Sequence, residues 1–163
     1  MEPIIITFTQ LSVGRVEFDA EVITADRLSL DTVTFKLDTG SDFTTLSYDD
    51  LKLLGYEDVF LHACKHYKDP ASSAGGDLKL QYMDNISIKL GDRELQGCRI
   101  FFALDTDLRS LFGSDILKYF NYSVNFDSDE TGETGELQMV KSARSPKLSK
   151  GESQIQIYSL DRL

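Results

Sequence analysis

A chain of 163 residues, 41% hydrophobic and 27% charged, has the length of one ordinary domain and the composition of a globular protein rather than a disordered one. Its 27 acidic against 17 basic residues give a formal net charge of −10, which repels phosphate backbones and anionic lipid and argues against nucleic acid or membrane as partner. The early apolar run Pro3 to Phe8 is too short to cross a bilayer and lacks the basic start of a secretory signal, so a cytoplasmic location is expected.

Short runs of Ile, Val, Phe, Thr and Tyr between turn residues predict a mainly β chain. Strands are expected at Ile4 to Thr9, Arg15 to Thr24 and Thr32 to Leu37. The third delivers an acid into Asp38-Thr39-Gly40-Ser41, where the glycine lets the backbone turn sharply and the carboxylate is fixed on rigid structure. A short helix comes next over Ser47 to Gly55: Ser47 can cap the third helical amide, Asp50 suits the positive end, and Gly55 can close the C-terminus in a left-handed conformation. The small residues of Pro70 to Gly76 suit a hairpin tip. Strands are then expected at Lys79 to Tyr82, Asn85 to Leu90 and Gln96 to Phe102, with a tight turn at Leu90-Gly91-Asp92-Arg93. Leu111-Phe112-Gly113 leads into a second short helix, begun by Gly113 or Ser114 and running from Asp115 to Phe120. Tyr122 to Phe126 and Glu136 to Val140 read as strands. The basic stretch Lys141 to Lys150 reads as a tether before the alternating strand Gln154 to Tyr158. The division is therefore a domain over residues 1–140 and a linker with a terminal strand over 141–163.

Three further patterns carry weaker chemistry. His62, Cys64 and His66 would share a face on a strand, but no fourth ligand lies near them, so incidental histidines are the expected reading. Asp127 to Gly132 opens like a calcium loop, yet the twelfth position is Gln138 rather than glutamate, and a solvated acidic turn is expected. Cys64 and Cys98 are expected as free thiols. No metal or cofactor is anticipated.

Asp38-Thr39-Gly40-Ser41 resembles the active-site loop of the retropepsin-like aspartic proteases, the group of retroviral proteases and their bacterial relatives. Leu111, Phe112 and Gly113 resemble that family's downstream hydrophobic-hydrophobic-glycine element, and Gly113-Ser114-Asp115 echoes Gly40-Ser41-Asp42. Thr44-Thr45-Leu46-Ser47 before a short helix is similar to the bacterial members in particular. The resemblance spans residues 10–130. It implies a single-lobe acid-protease barrel with two short helices and a flap hairpin, whose tip would be Ser73, Ala74, Gly75 and Gly76.

With one Asp-Thr-Gly loop per chain, the resemblance also implies a homodimer in which two copies of Asp38 form the catalytic pair acting on a peptide or protein substrate. Thr39 would lock the two loops across the axis, Gly40 and Asp42 would contact substrate, and the Ser41 hydroxyl would donate to Asp38. One position departs from the pattern: retroviral enzymes carry Arg where this chain has Ser114, which leaves Asp42 without that partner, so that either Arg15 or Arg109 substitutes or the dimer contact is built differently. Two alternatives stand beside the enzyme: a catalytically silent dimeric peptide-binding or assembly module, and a domain whose terminal strand docks on another protein.

Overall fold

The computed structural model describes residues 2–12, 15–73, 76–127 and 134–160. Ala74, Gly75 and all but the first residue of the acidic turn Asp127 to Gly132 lie outside them.

Period-two alternation builds the sheet. In β2 (Arg15–Ile23), Val16, Phe18, Ala20 and Val22 point inward, and in β3 (Leu30–Leu37), Val33 and Phe35 do the same. These strands pair antiparallel from Glu17↔Lys36 to Ile23↔Leu30, so both inward rows meet one core. A two-residue strand β9 (Leu111–Phe112) joins β3 in parallel, bringing Phe112 onto the same face. Phe18, Phe35 and Phe112 are fully buried, with ring centroids 5.3, 5.7 and 6.2 Å apart, a packed aromatic triangle beneath the turn at Asp38.

Around this pair run β1 (Ile4–Ser12), β4 (Lys65–His66), β7 (Gln81–Leu90), β8 (Arg93–Phe102), β10 (Phe120–Phe126), β11 (Thr134–Lys141) and β12 (Gln156–Ser159). Among the described residues these strands make one ten-stranded sheet whose main path is β10-β11-β1-β2-β7-β8-β12, and β10 and β12 end that path without closing on each other. A separate hairpin pairs β5 (Ser72–Ser73) with β6 (Gly76–Asp77). Two expected strands merge into the single β7, with a register shift beside Asn85, whose φ of 62° is the left-handed kink of a bulge. The terminal strand β12 finds its partner inside the chain, pairing Gln156↔Gln96 through Ser159↔Arg93 on β8.

Among the described residues there are three short helices where two were expected. α1 (Tyr48–Leu53) begins as its sequence predicts: Ser47 Oγ accepts from Asp50 N at 3.2 Å, and Gly55 takes φ +90° just past the end. α2 (Asp58–Ala63) has no local signal, because Glu57 makes no side-chain cap. It is held from a distance instead: Leu61 is fully buried, and Gln81 Nε2 donates to the carbonyls of Leu61 and Cys64 at 3.0 and 3.2 Å. This helix places His62 apart from His66 in β4, so the alternating ligand row does not form; among the described residues no group of three or more metal-binding side chains occurs. α3 (Ser114–Leu117) is shorter than expected, since Phe120 is already in ladder register with Lys141.

Because the aromatic triangle is closed on all sides, Phe112→Ala leaves a cavity that the β3–β9 pairing prevents from collapsing. The expected loss is about 3–5 kcal/mol of unfolding free energy, measured by urea denaturation.

Candidate active site

Asp38 stands at the C-terminal end of β3. Parallel pairing with β9 continues one residue past the strand, where Asp38 N donates to Phe112 O at 3.0 Å. The chain then reverses: Ser41 N donates to Asp38 O at 3.2 Å, closing a four-residue turn, and Gly40 N donates to a side-chain oxygen of Asp38 at 3.1 Å. The half-buried carboxylate is thus oriented by its own turn.

Beyond the turn, the chain is woven into the sheet. Thr45 N donates to Leu111 O (2.9 Å) and Leu111 N returns a bond to Thr45 O (3.1 Å). On the other side, Phe101 N donates to Thr44 O and Leu46 N to Phe101 O, both at 3.0 Å. Residues 44–46 therefore run between β8 and β9. Gly113 makes this crossing possible: a Cβ there would fall on the Phe43 carbonyl, 2.6 Å from its carbon and 2.9 Å from Ser41 O. Ser114 N, the next amide along, donates to Ser41 O at 2.8 Å.

A side-chain clamp completes the crossing. Buried Thr44 donates its hydroxyl to Asp115 Oδ1 (2.6 Å) and its amide to Asp115 Oδ2 (3.0 Å), while Gly113 N donates to Thr44 Oγ1 (3.1 Å). Burial pushes the Asp115 carboxyl up to about 6; the Thr44 hydrogen bonds oppose that shift, and the Glu152 carboxylate adds to it.

The turn opens on a cleft of about 850 Å³. Asp38, Gly40, Ser41, Asp42, Ser73 and Leu111 of the sequence-derived residues converge on it, together with Ser114. Thr39 is exposed, Gly76 faces Ser73 across the β5–β6 hairpin, and Phe112 and Gly113 sit behind the turn as support. One wall is aromatic: Phe43 and Phe101 lie 4.6 Å apart, with Tyr67 at 5.2 and 5.5 Å from them. The far end is formed by the C-terminal segment, where Lys118 bridges to Glu152 at 2.6 Å and donates to Lys147 O at 3.1 Å.

Two expectations about partners are corrected by this geometry. The Ser41 hydroxyl does not reach Asp38: it donates to Phe43 O at 2.8 Å and accepts from Phe43 N at 3.3 Å, because the close Gly113 approach folds the loop back on itself. Nor does either arginine replace the missing cation. Arg15 lies beside Glu17 at 3.8 Å, Arg109 contributes only its carbonyl, to Thr45 Oγ1, and among the described residues Asp42 makes no ion pair. Asp115, Tyr67 and Phe101 were not singled out in the sequence. Asp115 alone had a signal, the Gly-Ser-Asp echo.

Among solved structures, the chain is similar to a retropepsin-like aspartic protease from Rickettsia conorii, with a TM-score of 0.57 over 86% of this chain and 95% of that one, at 20% identity. No protein-family model and no curated protein matches the chain. The fold is that of the retropepsin-like aspartic proteases, reached with little sequence in common.

The raised Asp115 carboxyl fixes the sign of a pH effect. The folded state holds this proton more tightly than the unfolded state, where the carboxyl titrates near ~4, so the Asp115 contribution to stability is full below about pH 4 and declines as pH rises to about 6. Asp115→Asn removes that slope. Because an amide accepts fewer hydrogen bonds than a carboxylate, the variant is offset in Tm at every pH; the expected result is that variant Tm minus wild-type Tm rises between about pH 4 and 6.

Proposed function

We propose that the chain is an aspartic endopeptidase active as a homodimer, with one Asp38 from each copy. Two carboxylates at one axis cannot both ionise cheaply, so they share a proton and titrate as a pair. The charged member takes a proton from a water attacking the scissile carbonyl, and the protonated member donates a hydrogen bond to the carbonyl oxygen. The carrying observation is the placement of a single Asp38, oriented by Gly40 N, in a turn that opens on a peptide-sized cleft in a retropepsin-like fold.

The other roles derive from this reading. An extended peptide would add as a strand between the floor at Gly40 and the hairpin bearing Ser73, Ala74, Gly75 and Gly76, which acts as the flap. Asp42, exposed at the cleft, contacts its backbone, and Thr39 reaches the partner loop across the axis. In this reading residues 1–140 are the protease domain and 141–163 a basic linker with a C-terminal strand. No cofactor takes part in this scheme. Two free cysteines support a cytoplasmic setting.

A catalytically silent binding module is the second reading, favoured by the missing cation beside Asp42. Wild type and Asp38→Ala are compared on a peptide library near pH 5 and pH 8, with a pepstatin-like inhibitor as control. The enzyme reading expects cleavage that is faster at the lower pH, blocked by the inhibitor and at least about 1,000-fold weaker in the variant. Peptide binding without cleavage in either protein establishes the silent module.

A further inference from the structure

The basic stretch Lys141 to Lys150 takes no part in the proposed chemistry, yet its last residues and those that follow form a wall of the cleft. That wall is anchored at both ends. Lys118, just past α3, bridges to Glu152 at 2.6 Å and donates to Lys147 O at 3.1 Å, while Ile155 N donates to the Tyr119 hydroxyl at 3.0 Å. Between these anchors Glu152 N donates to Ser149 O at 3.0 Å and the Glu152 carboxylate accepts from Ser149 N at 2.8 Å, so residues 149–152 close a four-residue turn. Gly151 takes φ +79° in the third position, a left-handed corner that glycine enters without strain, and its carbonyl accepts from Arg99 Nη2 at 3.3 Å.

Lys150 occupies the other corner of this turn. Its backbone is held from both sides, while its side chain is exposed and lines the cleft. The two other cations of the lining are already paired, Lys118 with Glu152 and Arg99 with Asp84, each at 2.6 Å. Among the described residues Lys150 makes no ion pair. Toward the Asp38 turn the balance reverses: Asp38, Asp42 and Asp69 line the cleft, and among the described residues no cation pairs with them. The cleft thus carries carboxylates around the turn and a free ammonium on the far wall.

We propose that Lys150 is a specificity-determining residue that draws an acidic side chain of the substrate to the far wall of the cleft. This deepens the endopeptidase reading and rests on it. A peptide lying along the cleft meets carboxylates at the Asp38 turn, which repel its own acidic residues, and an unpaired cation at the wall, which attracts them. Acidic residues are therefore rejected at the centre and selected at an outer position. With Asp38 on the axis of a dimer, two-fold symmetry sets one such wall on each side of the scissile bond. The turn matters to the selection. A lysine on a loose tether would have to order its backbone as well as its side chain on meeting the peptide, whereas here the backbone is already fixed. The pair forms in contact with water, so its contribution is modest and is screened by salt.

The test uses peptides that are neutral apart from one glutamate, moved through every position, each compared with its glutamine counterpart. Cleavage is followed for wild type, Lys150→Gln, Lys150→Glu and, as a control, Lys147→Gln, where the lost lysine lies on the same segment but outside the cleft lining. Both lysines are exposed, so the variants keep the wild-type Tm. The expected kcat/KM ratio of glutamate to glutamine peptide at an outer position is at least about threefold in wild type and in Lys147→Gln, near unity in Lys150→Gln and below unity in Lys150→Glu. The wild-type ratio also falls towards unity as salt is raised to about 1 M. Ratios near unity at every position, or an acidic preference that survives Lys150→Gln, overturn the role of Lys150 and leave the endopeptidase standing. If no peptide is cut, the same ratio is read in dissociation constants by fluorescence anisotropy. A glutamate preference that depends on Lys150 then upholds its role while removing the enzyme; binding without that preference, or no binding, overturns both.

Discussion

The structure depends on one close approach: the backbone at Gly113 presses against the carbonyl of Phe43, where no side chain of any size could stand. That contact lets residues 44–46 pass between β8 and β9 and bond to both, and it fixes the strand end from which Asp38 projects. The aromatic triangle of Phe18, Phe35 and Phe112 supports the crossing from beneath, and the Thr44–Asp115 clamp closes it from the side. Asp38 itself forms few bonds. Its position is inherited from neighbours bonded to strands distant in sequence, which is how a carboxylate can stay half exposed and still be held in place.

Burying Asp115 is costly, as its raised titration records, yet it satisfies Thr44 twice over and ties the Asp38 turn to the start of α3. Its neighbour Glu152 belongs to the C-terminal segment, which Lys118 pins to the end of the cleft. The segment expected as a loose basic tether thus forms part of the cleft lining and ends in a strand on β8. Turn, helix and tail form one mechanical unit around the cleft, and β10 leaves that unit as its open edge.

Much of this was legible in the sequence because the signals are local. Runs of β-branched and aromatic residues between turn signals placed β2, β3 and β8, the Ser47 cap placed α1, and Asp38-Thr39-Gly40 with Leu111-Phe112-Gly113 marked the two segments that the fold brings together. Long-range contacts decided the features that escaped. α2 depends on Gln81 satisfying its last carbonyls from twenty residues away in sequence, so no cap at Glu57 announces it. The Ser41 hydroxyl turns to Phe43 because Gly113 folds the loop tightly, which a tetrapeptide motif cannot reveal. Asp115 was visible only as an echo of Asp42, and its burial comes from packing rather than from its own neighbours in sequence.

If the Gly113 crossing holds the Asp38 turn and its flanking strands as one unit, amide hydrogen exchange on Gly113→Ala tests it directly. A methyl group at this position must push Phe43 away, so Asp38, Thr45, Leu46 and Leu111 are predicted to lose protection together while β10, β11 and β1 keep theirs. Unchanged protection at those four amides, with Tm preserved, would contradict it.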